Sequence, residues 1–358
     1  MKLYQVAIIG TNIGAKHYED FLKVSNRFKV HTLCGLTKDP IEKILPANSD
    51  TKISLSFDEV LKDIEIDIVD ICLPPHLHFL ACKKTLEAGK HVICEKPLVS
   101  NLKEVDKLEK ISKKYNKFIF PVFQYRYGLG FSQLKSLIKE GLTGKPLVAS
   151  LETHWNRDKD YYAKEWRGTW EGEKGGAILS HSIHIHDLLS MIFGPVSNVY
   201  AKLTTRVNDI EVEDCASLSI EMQNGSLVTS SITLGAANDT SRLRFCFDGI
   251  TAESGASPDK PYNPADDKWK FLARAPITQS QIYEVLTKVQ TPKSWYAGMF
   301  DEIANKLDEK ESDEVTLLDA RKSLEFVAAV YSSSRQGKSI SLPINKDNPI
   351  YESWLPKN

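Results

Sequence analysis

Val6 to His17 reads VAIIGTNIGAKH: an apolar run, a turn that opens on Gly10 and closes on Gly14, then residues at helical spacing. A buried strand that stops on glycine and passes straight into a helix presents backbone N–H groups and the positive end of a helix dipole to a phosphate. Gly10, Thr11, Asn12, Ile13 and Gly14 are therefore the candidate phosphate loop of a dinucleotide-binding fold. Asn12 stands where a second glycine usually lets the backbone approach the phosphates, and asparagine tolerates left-handed φ better than most residues. The alternative is a strand-to-helix turn that holds no ligand.

Outward from that loop, short apolar runs alternate with amphipathic segments as far as Phe123, the pattern of a doubly wound parallel sheet wrapped by helices. Strands are expected at Val6–Ile9, Phe28–Cys34, Asp67–Leu73, His91–Cys94 and Phe118–Phe123. Ser56-Phe57-Asp58-Glu59 has capping-box spacing, Asp39-Pro40 reads as a helix cap followed by proline, and Leu102–Tyr115 is a charged helix. The end of the second strand carries Cys34-Gly35-Leu36-Thr37-Lys38, with no carboxylate to read a ribose 2′-hydroxyl. Thr37 and Lys38 could instead meet a 2′-phosphate, which leans the expected cofactor from NAD toward NADP; equally, Lys38 is a solvated surface lysine.

Beyond Phe123 the texture changes to longer strands of alternating polarity, at Pro146–Trp155, Val199–Thr205, Cys215–Gln223, Ser226–Leu234 and Arg242–Phe247. Asn224-Gly225 is a hairpin turn between two of them. Residues 1–123 are thus expected to form the dinucleotide-binding domain and 124–358 an α+β domain with a large, mostly antiparallel open sheet. Glu253–Asp267, rich in Pro, Gly, Ser and Asp, reads as a long surface loop, and helices are expected at Ala297–Leu307 and Leu318–Arg335.

The composition narrows the partners. In 358 residues, 46 Lys and Arg balance 47 Asp and Glu, so no basic surplus exists for a nucleic acid. Six cysteines lie scattered without a CxxC pair and read as reduced core thiols. The N-terminal apolar run is too short for a signal peptide, no stretch approaches a membrane span, and the expected location is cytoplasmic.

Two further clusters carry chemistry. Cys94-Glu95-Lys96-Pro97 follows a buried strand at the carboxyl end of the sheet, where open α/β sheets bind ligands, and a lysine there can shuttle a proton. Gly175-Gly176 open a predicted helix running through Ser180, His181, His184 and Asp187, whose spacing puts these groups on one face. His184 suits proton exchange with a substrate hydroxyl near neutral pH. His181, His184 and Asp187 could also ligate a metal, but no cysteine or glutamate completes a set, and no metal is expected. Trp166, Arg167 and Trp170, with Tyr161 and Tyr162, could shape a sugar pocket or pack in the core.

Taken with LPPHLHFLACKKTLEAGKHVICEKPL (Leu73–Leu98), FQYRY (Phe123–Tyr127), WRGTW (Trp166–Trp170), GGAILSHSIHIHDLL (Gly175–Leu189) and the DARKSLEFVAAVYSS helix with its tail, the chain resembles the Gfo/Idh/MocA oxidoreductases nearly end to end. The resemblance implies a Rossmann domain followed by an α/β domain whose open sheet makes a homodimer or homotetramer. It also implies hydride transfer between a nicotinamide and a hydroxyl or carbonyl carbon of a small polyhydroxylated substrate: a sugar, sugar acid, cyclitol or sugar derivative. By matched position Lys96 would relay the proton and His184 would be the histidine of the H-x-x-D pattern, with Asp187 its acid. Leu73, Pro74 and His76 would lie beside the cofactor, Glu95 near the nicotinamide ribose, and Gln124 and Arg126 at the edge of the site. Ser180 stands where inositol-dehydrogenase-like members carry an aspartate, which puts a Lys-Asp-His relay and inositol itself in doubt. The same fold also hosts dinucleotide-binding regulators and redox-assisted glycosidases; Lys96 and His184 together favour an enzyme.

Overall fold

Strands hidden on both faces need apolar residues at nearly every position, and the early runs meet that demand. In the computed structural model, which describes residues 2–255, 257 and 260–356, they are β1 (Tyr4–Ile9), β2 (Phe28–Cys34), β4 (Ile68–Ile71), β5 (His91–Cys94) and β6 (Ile119–Pro121), joined at one edge by the short, mostly exposed β3 (Lys52–Ser54). All pair in parallel, in the order β3-β2-β1-β4-β5-β6. The order reverses between β1 and β4, the switch point of a doubly wound sheet. The connecting helices are α1 (Gly14–Leu22), α2 (Lys38–Glu42), α3 (Phe57–Lys62), α4 (His78–Glu87) and α5 (Leu102–Tyr115).

Local chemistry sets the ends of these helices. Asn101 Oδ1 accepts the Glu104 N–H at 2.8 Å to start α5, and Asn116 ends it in the left-handed region at φ 50°. Ser56 caps α3 as its spacing predicts, accepting the Glu59 N–H at 3.3 Å. The cap expected at Asp39 stands instead at Thr37, and Asp39 lies in the first turn of α2, where its charge favours the helix dipole.

This first unit comprises Met1–Phe123 and Tyr296–Arg321. The later segment brings most of α10 (Trp295–Leu307), whose Phe300 stacks on Phe21 of α1 with ring centroids 3.8 Å apart. From the same segment Asp301, Asn305 and Asp308 surround the buried Arg27 guanidinium.

The second unit comprises Gln124–Trp295 and Lys322–Asn358. After α6 (Leu129–Lys139) come β7 (Pro146–Asn156), the short α7 (Ala177–Ser180), α8 (Ile183–Phe193), then β8 (Val196–Thr204), β9 (Cys215–Met222), β10 (Leu227–Thr233), β11 (Gly235–Phe247), β12 (Ile250–Glu253) and β13 (Lys270–Ala273). The unit is completed by α9 (Gln279–Leu286), most of α11 (Leu317–Gln336) and β14 (Ile340–Ser341). Its eight strands run in the order β13-β12-β11-β7-β10-β9-β8-β14 and are antiparallel except for β7 with β10. Along β9 and β10 every second side chain is buried, as expected of a sheet covered on one face. The cover includes α8 and α11: His186 of α8 meets Ser230 of β10 at 3.0 Å, and Ser333 of α11 accepts the Ala201 N–H of β8 at 2.9 Å.

The stretch expected as one surface loop from Glu253 to Asp267 begins in β12 and leads through a short turn to β13; residues 256, 258 and 259 of it lie outside the described residues. No helix among the described residues is long and apolar enough to cross a membrane.

Candidate active site

The first unit builds the phosphate loop against the strand switch. Gly10, at φ 107°, ends β1 with its backbone so close to β4 that an added Cβ would stand 2.3 Å from the Cys72 carbonyl oxygen. Gly14 opens α1, where a Cβ would come to 3.0 Å from Ile8. Between them Thr11, Asn12 and Ile13 make the turn; Ile13 caps α1 without a side-chain bond, and no acid stands in its first turn. This arrangement fits a pyrophosphate, because the helix end offers backbone N–H groups and no competing anion. Asn12 is exposed and does not use its tolerance of left-handed φ: the described non-glycine residues there are Asn116, Lys174, Trp295 and Glu309.

The end of β2 lies beside this loop, for a Cβ on Gly35 would meet Thr11 at 3.0 Å. Thr37 and Lys38 stand exposed at the start of α2. Leu73 and Pro74 follow β4, partly buried, and His76 is exposed in the next turn. His78, which the sequence reading did not single out, is buried with its ring nitrogens 2.7 Å from the carbonyl oxygens of Leu73 and Pro97, so it ties the two loops together.

Glu95 turns inward. Its Oε1 is 3.1 Å from His17 Nε2 and accepts the Tyr296 hydroxyl at 3.2 Å, while its Oε2 accepts the Lys96 backbone N–H at 3.1 Å. Lys96 follows at the carboxyl end of β5, partly buried, and its bond to Pro97 is cis.

The second unit carries the histidine cluster. Gln124, Tyr125 and Arg126 form one buried turn, and Arg126 donates through Nε and Nη2 to the two carboxylate oxygens of Asp187 at 2.7 and 2.6 Å. The His184 ring lies flat on Tyr125, with centroids 4.3 Å apart and planes 10° from parallel. The single helix expected from Gly175 onward is two, because α7 ends at Ser180 and α8 starts at Ile183. Ser182 Oγ donates to the carbonyls of Ala177 and Ile178 at 3.2 and 3.4 Å, which closes the first turn on itself. Ser180 and His184 therefore sit on different helices, and Ser180 Oγ turns back to the Gly175 carbonyl at 3.4 Å. Trp166 and Arg167 are partly buried; the Arg167 guanidinium lies 4.0 Å from the centre of the Tyr161 ring and 4.6 Å from that of Trp166.

One further residue holds this region. Glu213 is buried, and its carboxylate accepts N–H groups of Gly176 and Ile178 at 3.2 and 2.9 Å together with the Tyr331 hydroxyl. Burial raises its pKa to about 7 despite those donors.

Residues 4–123 match an oxidoreductase family with an NAD-binding Rossmann fold, and residues 131–252 match the GFO/IDH/MocA C-terminal domain. The chain belongs to the GFO/IDH/MocA family. An uncharacterised oxidoreductase of Schizosaccharomyces pombe is 25% identical to this GFO/IDH/MocA oxidoreductase, over 94% of this chain and 99% of its own length. A scyllo-inositol 2-dehydrogenase (NADP(+)), IolW of Bacillus subtilis, is 21% identical over 94% of this chain and 96% of its own. Among solved structures, the WlbA dehydrogenase from Bordetella pertussis, in complex with NADH and UDP-GlcNAcA, shares the fold with a TM-score of 0.82 at 23% identity, covering 96% of this chain and 100% of that one.

As a GFO/IDH/MocA oxidoreductase, the chain carries an NAD-binding Rossmann fold in its first unit. Tyr125 and Glu213 were missed because their partners lie far away in sequence, and His78 because its partners are backbone carbonyls, which no side-chain pattern marks. The one local cue, a glutamate beside an aspartate at the start of an alternating strand, does not name what it binds.

Proposed function

We propose that this chain is an NAD(P)-dependent dehydrogenase or reductase acting on a CH–OH or C=O carbon of a sugar, sugar acid, cyclitol or sugar derivative. The reading is carried by the Lys96 loop: an amine at the carboxyl end of β5, next to the strand switch, on a backbone pinned by the Glu95 carboxylate. A bound nicotinamide supplies the hydride acceptor or donor. Lys96 takes or returns the hydroxyl proton, and His184, its ring orientation set by Tyr125, is the second proton-handling group. Gly10, Thr11, Asn12, Ile13 and Gly14 cradle the pyrophosphate, with Leu73, Pro74, His76, Glu95 and Gln124 assigned to the rest of the dinucleotide. Trp166 and Arg167 offer an aromatic face and a cation to a polyhydroxylated ring. Ser180 is assigned to a substrate hydroxyl, with Arg126 and Asp187 as one preorganised pair.

NADP is the favoured cofactor, because the end of β2 offers Thr37 and Lys38 and no acid, and because IolW, alike over nearly its whole length, is named for NADP(+). The six cysteines, all free thiols, fit a cytoplasmic setting. We assign a second copy of the chain to the outer face of the eight-stranded sheet, where Tyr200, Ser217, Ser219, Thr229 and Ser231 are exposed; sedimentation is expected to show a dimer or tetramer, and a monomer at all concentrations removes that partner.

The test is nicotinamide absorbance with NAD and NADP offered separately against sugars, sugar acids, cyclitols and their keto forms. Lys96→Ala should lower kcat by about 10²–10⁴-fold while cofactor affinity changes little. Turnover by that variant at the parent rate ends the assignment of Lys96.

A further inference from the structure

Between the phosphate loop and the Lys96 loop lies a buried polar network whose parts come from four segments of the chain. His17 is on the inward face of α1, three residues past Gly14, and has no exposed surface. Its Nδ1 is 2.8 Å from Asp70 Oδ2 of β4 and 3.5 Å from Cys72 Sγ, and its Nε2 is 3.1 Å from Glu95 Oε1. The Tyr296 ring packs on it at 4.2 Å and its hydroxyl reaches the same Glu95 oxygen. Among the described residues, these four, Asp70, Cys72, Glu95 and Tyr296, are the titratable groups that face the ring.

A neutral imidazole has one N–H, and here each nitrogen faces a carboxylate, so both contacts are hydrogen bonds only when the ring carries two protons. Burial is the largest single influence and disfavours that cation, but the Asp70 charge and hydrogen bond together with Cys72 outweigh it and hold the His17 pKa well above its usual value. The Cys72 thiol, pushed up to about 12 chiefly by burial, stays protonated beside it.

We propose that His17 is a positioning residue: a two-ended donor that fixes the Glu95 carboxylate from the cofactor helix, so that Glu95 can hold the backbone N–H of Lys96 in place. With no exposed surface, its side chain acts through Glu95 and not on a ligand directly. The proposal rests on Lys96 as the proton relay for its consequence in turnover, and its geometry is tested without turnover.

Asparagine at position 17 keeps a donor near the place of Nδ1 and loses the one toward Glu95; glutamine does the reverse. Hydrogen exchange at the Lys96 amide, measured on the full chain and corrected for intrinsic rate, should rise about tenfold in His17→Asn and stay near the parent value in His17→Gln, the scale of one lost hydrogen bond. With a substrate found by the absorbance panel, kcat should fall in the same order while KM for the cofactor stays nearly constant. Equal Lys96 exchange in both variants and the parent overturns the proposal. Should His17→Asn fail to fold, Asp70→Asn keeps an acceptor for Nδ1 and removes the charge that sustains the second proton. Lys96 exchange should then loosen as pH rises through neutrality, and a flat profile overturns the proposal. A parent without turnover on any substrate would refute the relay assigned to Lys96, and the exchange measurements would still judge His17.

Discussion

Arg126 meets Asp187 through two parallel bonds, and both side chains are almost wholly out of water. Two-point guanidinium–carboxylate contacts fix angle as well as distance, so the pair locks the first turns of α8 to the turn that carries Tyr125. His184 lies on Tyr125, so its ring orientation depends on the turn that this pair fixes. Arg126→Met removes the positive charge but keeps much of the volume; we expect unfolding in urea to show a loss of about 3–5 kcal/mol, the cost of breaking a buried pair from one side. At this scale the sequence was informative about types and silent about partners. Arg126 and Asp187 both read as polar groups near a substrate, and nothing local shows that residues 61 apart would face each other. Lys96 was legible for the opposite reason, since an apolar strand running into Glu-Lys-Pro locates the lysine without any distant contact.

The segment from Gly175 to Leu189 shows what a helical pattern can hide. Its polar spacing suggests one helix, yet the backbone breaks after Ser180, where Ser182 Oγ turns back to the Ala177 and Ile178 carbonyls, while Glu213, just ahead of β9, holds the N-terminal end of α7. Gly176 is required there, because a Cβ would stand 2.0 Å from the Glu213 carbonyl oxygen. That atom is backbone and cannot swing aside. Gly176→Ala should therefore destabilise the second unit by about 2–4 kcal/mol, at the upper end for a single substitution, and lower the melting temperature without altering the isolated phosphate loop. The twin glycines were visible in the sequence as the opening of a helix, whereas the carboxylate that holds Gly176, 37 residues on, was not. Strands β3, β12 and β13 went unread for a related reason: each is a short ladder partner whose exposed or mixed side chains resemble a loop until its neighbour is known. The sequence reading recovered the parallel core strands and α5 closely, because continuous burial and paired caps are local properties.

For the whole molecule, buried titratable groups set how stability follows pH. Burial lowers the pKa of His186 to about 3 and that of His91 to about 4, against 6.5 for an ordinary imidazole. As pH falls below 6.5 the unfolded chain gains protons there that the folded chain refuses, so stability drops. Glu213 acts oppositely: its raised pKa makes the folded chain hold a proton between 4.5 and about 7, so its contribution is full below 4.5 and is lost as pH rises through 7. His17, held above its usual value, likewise contributes stability that is lost on the alkaline side. The expected profile rises from acid toward neutrality, where two histidines outweigh one carboxyl, and declines again at high pH. Urea midpoints measured across that range should show it, and His186→Gln should flatten the acid limb; an unchanged limb would mean that His186 does not titrate with unfolding.

The return of Tyr296–Arg321 to the first unit sets a timetable for synthesis. A ribosome delivers β1 to β6 first, then all of Gln124–Trp295, before Phe300 can stack on Phe21 or Tyr296 can reach His17. At about 5–20 residues per second, that interval lasts on the order of 10–30 s. Throughout it the nascent nucleotide-binding unit waits with an aromatic face uncovered and Arg27 without Asp301 and Asp308, so a chain stalled near residue 290 would be a client for chaperones while already owning a complete phosphate loop.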